Sequence, residues 1–209
     1  MNVTNFYLLD NNLVKNKVSL LRDKSCSCSN FRKLAKDLSI FLCYEASKNI
    51  KLINYKLETP IEETDGVRFQ PVTFVSILRA GLGMISGALE CIPDASVGHI
   101  GMFRNEETLE PVRYYCKLPK NMHESVVFVL DPMLATGGSA CDAISEVKKE
   151  GAKNIIFLCL IAAPEGIKKL NKNHPDVKIY AASLDRELNS NGYIMPGLGD
   201  AGDRIFNTV

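Results

Sequence analysis

The chain has 209 residues, 46% of them hydrophobic, and its 25 Lys and Arg side chains nearly balance 24 Asp and Glu side chains. This length can bury one substantial core, so we expect a single domain over residues 1–209. The balanced charge argues against nucleic-acid binding, which needs a basic face. Membrane insertion is not expected, because no apolar run reaches the roughly 18 residues of a span. Early acidic and amide residues argue against a secretory signal, which leaves a cytoplasmic protein.

The seven cysteines fit a reducing cytoplasm better than a disulfide framework. Four lie in apolar or helical patterns and are expected to pack as small core residues: Cys43, Cys91, Cys141 and Cys159. Cys26 and Cys28 form a CxC pair without the spacing, or the second pair, of a zinc site. We therefore expect no metal site built from protein side chains alone.

The first periodic segment along the chain is an amphipathic helix predicted over Phe31–Asn49, capped by Ser29 or Asn30. Residues 51–71 are predicted to be extended, with a turn near Asp65-Gly66. From residue 72 onward, apolar strand segments alternate with helical ones, a pattern that predicts an α/β fold with a mostly parallel central sheet flanked by helices. The predicted strands are Val72–Ile77, Ala95–Phe103, Val126–Leu130, Ile155–Ala162 and Val177–Ala182.

Between these strands we predict a helix over Leu82–Cys91, a second after residue 139 that ends at Gly151, and a third over Pro164–Asn173. Residues Arg104–Lys117 are polar in their first half and aromatic in their second, which predicts a projecting hairpin. The last segment, Leu184–Val209, is rich in Gly, Asn and Asp and is predicted to be mostly loop.

The segment between the strand Val126–Leu130 and the next helix is the strongest functional signal. Asp131 stands at the end of the strand, and a small, flexible loop, Ala135–Ser139, leads into the helix. Free backbone N–H groups at a helix N-terminus, together with the helix dipole, attract an anion such as phosphate. Because ligands of parallel sheets bind beyond the carboxyl ends of the strands, we expect this loop to meet the turn holding Arg79 and the loop after the fifth strand.

Other motifs are weak. Gly197–Gly202 matches GxGxxG but does not open a helix inside a βαβ unit, as a dinucleotide site requires. The sequence has no P-loop and no GxSxG elbow, and its three histidines lie outside the candidate loops. Without further support, residues 136–139 are also compatible with a plain strand–helix turn.

Several segments together resemble one family. The segment VLDPMLATGGS at residues 129–139 resembles the ribose-phosphate loop of type I phosphoribosyltransferases, and the single acid before Pro132 is typical of the uracil-specific branch. Further matching segments are YEA at 44–46, ILRAGLGM at 77–84, GMFRNEETLEPV at 101–112, AAPEGI at 162–167 and GYIMPGLGDAGDRIFNT at 192–208. Departures are small: Ser76 and Arg113 stand where proline is common, and Arg186-Glu187 lie in a variable stretch.

The resemblance implies a loop-rich C-terminal hood over the site and transfer of the phosphoribosyl group of 5-phosphoribosyl diphosphate (PRPP) to uracil, giving UMP and diphosphate in pyrimidine salvage. It also implies Mg²⁺ bound mainly through PRPP, a homo-oligomer of two or more subunits, and GTP as a candidate allosteric activator. The PRPP-binding residues it implies are Arg79, Arg104, Asp131, Pro132, Met133, Leu134, Ala135, Thr136, Gly137, Gly138, Ser139 and Asp200, and the uracil-binding residues are Ile194, Gly199, Asp200 and Ala201.

Within these sets, the resemblance assigns catalytic roles to Arg79, Arg104 and Asp131 and implies a non-proline cis peptide in the Arg79 turn. Arg104 is expected to close over the diphosphate as a lid. Asp200 is expected to act between base and ribose, or to help hold the PRPP-bound Mg²⁺ through water. The alternatives are transfer to another base, or a PRPP-binding regulatory paralogue that binds RNA and has little catalysis. A third alternative is a purely structural paralogue, but the intact phosphate loop, Arg79 and the C-terminal segment argue against it.

Overall fold

A computed structural model describes residues 5–104 and 111–208. The core of the protein is an eight-stranded sheet between two layers of helices. The strands are β1 (Phe6–Leu8), β2 (Leu52–Glu58), β3 (Glu63–Phe69), β4 (Val72–Leu78), β5 (Ser96–Arg104), β6 (Pro111–Lys117), β7 (Val126–Leu130), β8 (Met133–Leu134), β9 (Asn154–Ala162), β10 (Lys178–Leu184), β11 (Glu187–Leu188) and β12 (Ile194–Met195). The helices are α1 (Asn12–Arg22), α2 (Cys28–Ala46), α3 (Leu82–Cys91), α4 (Gly138–Lys149), α5 (Pro164–Asn173) and α6 (Ala201–Phe206).

The central sheet has the strand order β1-β10-β9-β7-β4-β5-β6, with β8 beside the end of β9. All its pairs are parallel except β5 with β6. Helices cover both faces, so the central strands are continuous apolar runs rather than alternating ones. In β7, Phe128 packs on the face covered by α2, and Val127 and Val129 pack on the face covered by α4. The predicted α/β fold is confirmed.

The helix predicted over Phe31–Asn49 exists, but its predicted caps are wrong. Helix α2 begins at Cys28, and the Ser27 hydroxyl accepts a hydrogen bond from Asn30 N–H at 3.3 Å. The apolar period alone did not locate this boundary, because the first turn, Cys28–Asn30, is polar and the first buried core residue is Phe31.

Residues 51–71 are extended, as predicted, and strands β2 and β3 pair as an antiparallel hairpin, but the turn lies at residues 59–62 and not near Asp65-Gly66. Thr59 N–H donates to Glu62 O at 2.9 Å, and Glu62 N–H donates to Thr59 Oγ1 at 3.0 Å. Gly66 instead lies opposite Tyr55 in the ladder, where a Cβ atom would be 2.3 Å from the Leu57 side chain. Gly66 therefore lies inside the strand ladder rather than in the turn.

The C-terminal segment contains more regular structure than predicted. Strands β11 and β12 form a short antiparallel ribbon, and α6 follows with Asp200 as its N-cap, accepting from Asp203 N–H at 2.9 Å. These elements were missed because they are only two to six residues long, too short for a clear hydrophobic period.

Three of the four cysteines predicted to be core residues are buried, and Cys91 is partly buried. Burial raises the pKa of the Cys43, Cys141 and Cys159 thiols, as expected for inert core residues. None of the helices in residues 5–104 and 111–208 is long and apolar enough to cross a membrane.

Candidate active site

A cavity of about 360 Å³ lies beyond the carboxyl ends of β4 and β7. Its lining comes from three segments that are far apart in the chain: Ala80; Asp131, Met133 and Ala135; and Asn191, Gly192, Tyr193, Ile194, Gly199, Asp200, Ala201 and Gly202. The structure thus brings together the three loops whose convergence the sequence pattern predicted. A larger cavity, of about 620 Å³, lies between β1, α1 and α2 and contains none of the predicted site residues.

The turn after β4 is pressed against the end of β7. A Cβ atom on Gly81 would lie 2.5 Å from Leu130 O and 2.6 Å from Ile77 O, so only glycine fits. The Leu78–Arg79 peptide bond is cis, as the family resemblance implies. The Arg79 side chain is about half exposed, and its Nη2 lies 3.2 Å from Asp203 Oδ1 in α6. The turn and the C-terminal segment are therefore in direct contact.

Asp131 presents a carboxyl group to the cavity at the end of β7. It accepts a hydrogen bond from Met133 N–H at 3.3 Å. The pKa of this carboxyl is raised to about 7, mainly because the surrounding protein desolvates it; the Met133 hydrogen bond partly offsets the rise, and the nearby Asp200 charge adds to it. An acid in a cleft whose pKa is near neutrality is a recognised feature of functional sites.

The residues after Asp131 have two different surroundings. Pro132 and Leu134 are buried, and their carbonyl oxygens accept hydrogen bonds from the backbone of β9 and the start of α5. Met133 and Ala135 line the cavity. The segment is therefore fixed to the sheet through alternate residues.

The loop from Thr136 to Ser139 leads from the cavity to the N-terminus of α4. Gly137 has φ +79°, and a Cβ atom there would lie 2.9 Å from Gly166 O. Gly138 begins the helix, and its N–H lies 3.5 Å from Thr136 Oγ1. The first N–H groups of a twelve-residue helix face this loop without carbonyl partners inside the helix, which is the arrangement that binds phosphate.

The C-terminal segment forms one wall of the cavity. Gly199 has φ +80° and open space around it, Asp200 caps α6 and Ala201 begins it, and Ile194 and Ala201 are buried. Sequence reasoning missed Asn191, Gly192 and Tyr193, which also line this wall. Gly192 and Tyr193 lie within the quoted family-like segment and could have been found there.

Arg104 is the last residue of β5 and pairs with Pro111 of β6, as expected for a hairpin. Its side chain and residues 105–110 lie outside the described residues, so its expected contact with diphosphate stays a prediction. Within the described part of the chain, no group of three or more His, Cys, Asp or Glu side chains is arranged to hold a metal ion.

Comparison with known proteins identifies the relatives of this chain. The family model of uracil phosphoribosyltransferases matches residues 8–208. Uracil phosphoribosyltransferases from Fervidobacterium nodosum and Thermosipho melanesiensis are 52% and 53% identical to it, covering 97% and 96% of this chain and 99% and 98% of theirs. A protein structure from Aquifex aeolicus is similar, with a TM-score of 0.92, 41% identity, and coverage of 96% of this chain and 97% of that one.

A purine phosphoribosyltransferase from Pyrococcus horikoshii shares the fold at 20% identity, with a TM-score of 0.52 over 73% of this chain and 83% of that one. The parallel sheet, the phosphate-type loop after β7 and the acid before it define a type I phosphoribosyltransferase. More narrowly, the chain belongs to the uracil phosphoribosyltransferase family. It is a pentosyltransferase of pyrimidine salvage that transfers a phosphoribosyl group to uracil.

Proposed function

We propose that PRPP and uracil bind and react in the cavity between the Arg79 turn, the Asp131–Ser139 segment and the C-terminal residues 191–202. The observation that carries this proposal is the convergence of these three segments on one cavity that holds a near-neutral carboxyl group and adjoins a helix N-terminus. The reaction displaces diphosphate from the anomeric carbon of PRPP by a pyrimidine nitrogen. It requires anion binding, stabilisation of positive charge on the ribose, and recognition of a flat base.

The 5′-phosphate binds at Ala135–Ser139. Backbone N–H groups at the start of α4 and the hydroxyls of Thr136 and Ser139 donate hydrogen bonds to its oxygens. Pro132, Met133 and Leu134 support this loop, because their backbone is held against β9. Binding of a remote phosphate lets the enzyme fix the position of the reacting carbon.

Asp131 acts on the ribose. Its carboxylate accepts hydrogen bonds from the ribose hydroxyls and favours the positive charge that develops on the ring as the bond to diphosphate breaks. Preorganised charge of this kind stabilises the transition state without a protein nucleophile. The raised pKa means that this carboxyl is ionised in the free enzyme only toward neutral and alkaline pH.

Arg79 and Arg104 neutralise the departing diphosphate, and Arg104 closes over it to exclude water. Mg²⁺ bound to PRPP supplies further neutralisation of the leaving group. Asp200 fits such an ion, because Mg²⁺ prefers oxygen ligands and keeps several waters. Its carboxylate lines the same cavity as Asp131 and either contacts the base and ribose or holds the ion through water.

Uracil binds against the wall formed by the C-terminal residues 191–202. Backbone groups near Ile194, Gly199 and Ala201 match its two carbonyl oxygens and its ring N–H. Cytosine replaces one acceptor with a donor, which would leave buried polar groups unpaired and disfavour its binding strongly. The open space around Gly199 is suited to the close approach of a planar ring.

The proposal includes a homo-oligomer in the cytoplasm that binds neither nucleic acid nor membrane. GTP as an allosteric activator rests on the family resemblance alone, and no described residue is assigned to it.

The decisive experiment incubates the protein with labelled uracil, PRPP and Mg²⁺ and follows UMP. UMP formation that requires all three, with cytosine and hypoxanthine inactive, supports the proposal. Activity with another base but not with uracil would overturn the base assignment. Absence of UMP together with salt-dependent retention of RNA would favour the regulatory alternative instead.

A further inference from the structure

Two side chains from outside the cavity hold the C-terminal turn that joins Ile194 to Gly199. Arg22, the last residue of α1, donates from Nη1 to Gly197 O at 2.7 Å. Asp185, just after β10, accepts from Gly197 N–H at 2.8 Å through Oδ2. The backbone N–H and C=O of Gly197 are therefore both hydrogen-bonded to side chains rather than to neighbouring backbone.

Arg22 and Asp185 also bind each other. Arg22 Nη1 donates to Asp185 Oδ2 at 2.7 Å, and Nη2 donates to Asp185 Oδ1 and, at 2.9 Å, to the Ser183 hydroxyl. A two-pronged pair of this kind fixes the relative orientation of the two planar groups. The Asp185 side chain is only 2% exposed and that of Arg22 is 23% exposed, so water competes little for the carboxylate.

The electrostatics of Asp185 agree with this geometry. Burial alone would raise the pKa of its carboxyl, but the hydrogen bonds from Arg22 and Gly197 more than offset burial, and the pKa lies below its ordinary value. The carboxylate is therefore ionised at neutral pH and holds the Gly197 N–H as a charged acceptor.

A second arginine holds the next residue of the same turn. Arg204 donates from Nη1 to Leu198 O at 2.9 Å and from Nη2 to Asp23 O at 2.6 Å, and its guanidinium lies 4.5 Å from the centre of the Phe31 ring. Asp23 directly follows Arg22, so both arginines connect the turn to the end of α1.

The turn has little freedom of its own. Gly197 has φ +60°, and a Cβ atom there would lie 2.2 Å from Ile194 O. Ile194 and Gly199, on either side of it, line the cavity. A shift of the Gly197 peptide would therefore move the backbone that faces the base.

We propose that Arg22 and Asp185 are positioning residues for uracil: they touch no substrate but set the place of the base-binding backbone through Gly197. The inference rests on the proposed function, since it assumes that uracil binds beside Ile194 and Gly199. It assigns to the pair the affinity for uracil and not that for PRPP, because Arg22 and Asp185 hold the Gly197 turn, whereas the segment that leads into the phosphate loop is held by the backbone of β9 and the start of α5.

The test compares Asp185→Asn, Arg22→Lys and Arg22→Gln with the wild-type protein. Asparagine keeps an acceptor but loses the charge that holds Arg22. We expect Asp185→Asn and Arg22→Gln to raise the KM for uracil at least tenfold and to change the KM for PRPP less than threefold. Arg22→Lys retains the charge but not the planar fork, so its effect should lie between Arg22→Gln and wild type.

Asp37→Asn is the matched control. Lys17 Nζ binds Asp37 at 2.6 Å, which is also a partly buried ion pair between α1 and the rest of the chain, but it contacts no part of the C-terminal turn. Thermal unfolding of all variants measures stability separately. If Asp185→Asn does not fold, the two Arg22 variants decide the question.

The inference is overturned if the folded Arg22 and Asp185 variants raise the KM for uracil and the KM for PRPP equally, or leave both unchanged. It is also overturned if Asp37→Asn raises the KM for uracil but not that for PRPP. These outcomes differ from failure of the proposed function, in which the wild-type protein itself makes no UMP from uracil and PRPP.

Discussion

Arg79 Nη2 lies 3.2 Å from Asp203 Oδ1, although 124 positions separate the two residues in the chain. The contact joins the turn after β4 to helix α6, which begins at the wall of the cavity. The Arg79 side chain is 56% exposed and that of Asp203 is 35% exposed, so the pair adds little to stability. A guanidinium has five donors, and this pair orients Arg79 while leaving others for an anion.

Comparing Arg79→Ala with Asp203→Ala separates a role of Arg79 in binding PRPP from a role of the ion pair in holding α6. We expect Arg79→Ala to lower kcat/KM for PRPP at least 100-fold, or about 2.7 kcal/mol, because it removes a cation from the diphosphate. Asp203→Ala deletes the same ion pair but leaves the arginine, so its kcat/KM should fall less than fivefold. Equal losses in steady-state assays would mean that the pair matters only for holding α6 in place.

Asp131→Asn should lower kcat at least tenfold, about 1.4 kcal/mol in the barrier, because the neutral amide stabilises positive charge on the ribose less well. For the wild-type enzyme, kcat/KM for PRPP should also fall as the pH drops through about 7, where this carboxyl takes up a proton.

The Asp131→Asn variant is also the control for that pH profile. PRPP keeps its own ionisation in both assays, so only the inflection due to Asp131 should disappear. An unchanged kcat, or an identical profile in the two proteins, would remove Asp131 from the chemistry.

The same substitution should stabilise the unliganded protein. The pKa of Asp131 is about 7 in the folded chain against 3.8 as its ordinary value, so folding disfavours the ionised form. The free-energy cost of folding with this carboxyl ionised is absent below about pH 4, grows as the pH rises toward 7, and is fully present above pH 7. Asp131→Asn should therefore gain about 2–4 kcal/mol at pH 8 and nothing at pH 4. Denaturant unfolding at the two pH values measures this, and an equal gain at both would contradict the assignment to ionisation.

The sequence was informative where local pattern and local structure coincide. Helices α3 and α5 and strand β7 have the predicted bounds, because glycine, proline or an acid marks an end of each one: Gly81 precedes α3, Pro164 begins α5 and Asp131 follows β7. The phosphate-type loop was predictable for the same reason. Glycines and hydroxyls after a buried strand have few roles other than a tight turn or an anion site.

What the sequence did not reveal depends on contacts between distant residues. Nothing near Arg22 or Asp185 indicates that they meet across 163 positions at the Gly197 turn. The raised pKa of Asp131 arises from desolvation in the folded protein, which no local pattern records. The turn at residues 59–62 was misplaced because Asp65-Gly66 has a strong local preference for turns that cross-strand packing overrides.

Arg104→Ala should lower kcat while the protein stays folded. Arg104 is the last residue of β5, and Gly101 of the same strand pairs with Leu78 at the edge of the Arg79 turn, so β5 borders the site. Loss of a cation that closes over diphosphate should slow turnover and increase hydrolysis of PRPP by water. Diphosphate release without UMP, measured beside UMP formation, tests both effects. Normal turnover with normal affinity for PRPP would remove the lid role.

Gly137→Ala should damage PRPP binding through the backbone. Gly137 has φ +79°, a conformation that costs a residue with a Cβ about 1–2 kcal/mol, and the new methyl would lie 2.9 Å from Gly166 O. The loop must shift, so the N–H groups at the start of α4 should move away from the 5′-phosphate. We expect the KM for PRPP to rise at least tenfold.

Gly151→Ala is the matched control for that strain. Gly151 follows the end of α4 with φ +93°, and its Cβ position meets nothing closer than His123 Cβ at 3.6 Å. Both variants should lose stability in thermal unfolding because both carry the backbone penalty, and Gly137→Ala should lose more because it adds the close contact with Gly166 O. Only Gly137→Ala should change the KM for PRPP, because only that glycine lies in the loop that binds phosphate. A comparable rise for Gly151→Ala would show that general destabilisation, rather than the geometry of the Gly137 loop, controls affinity.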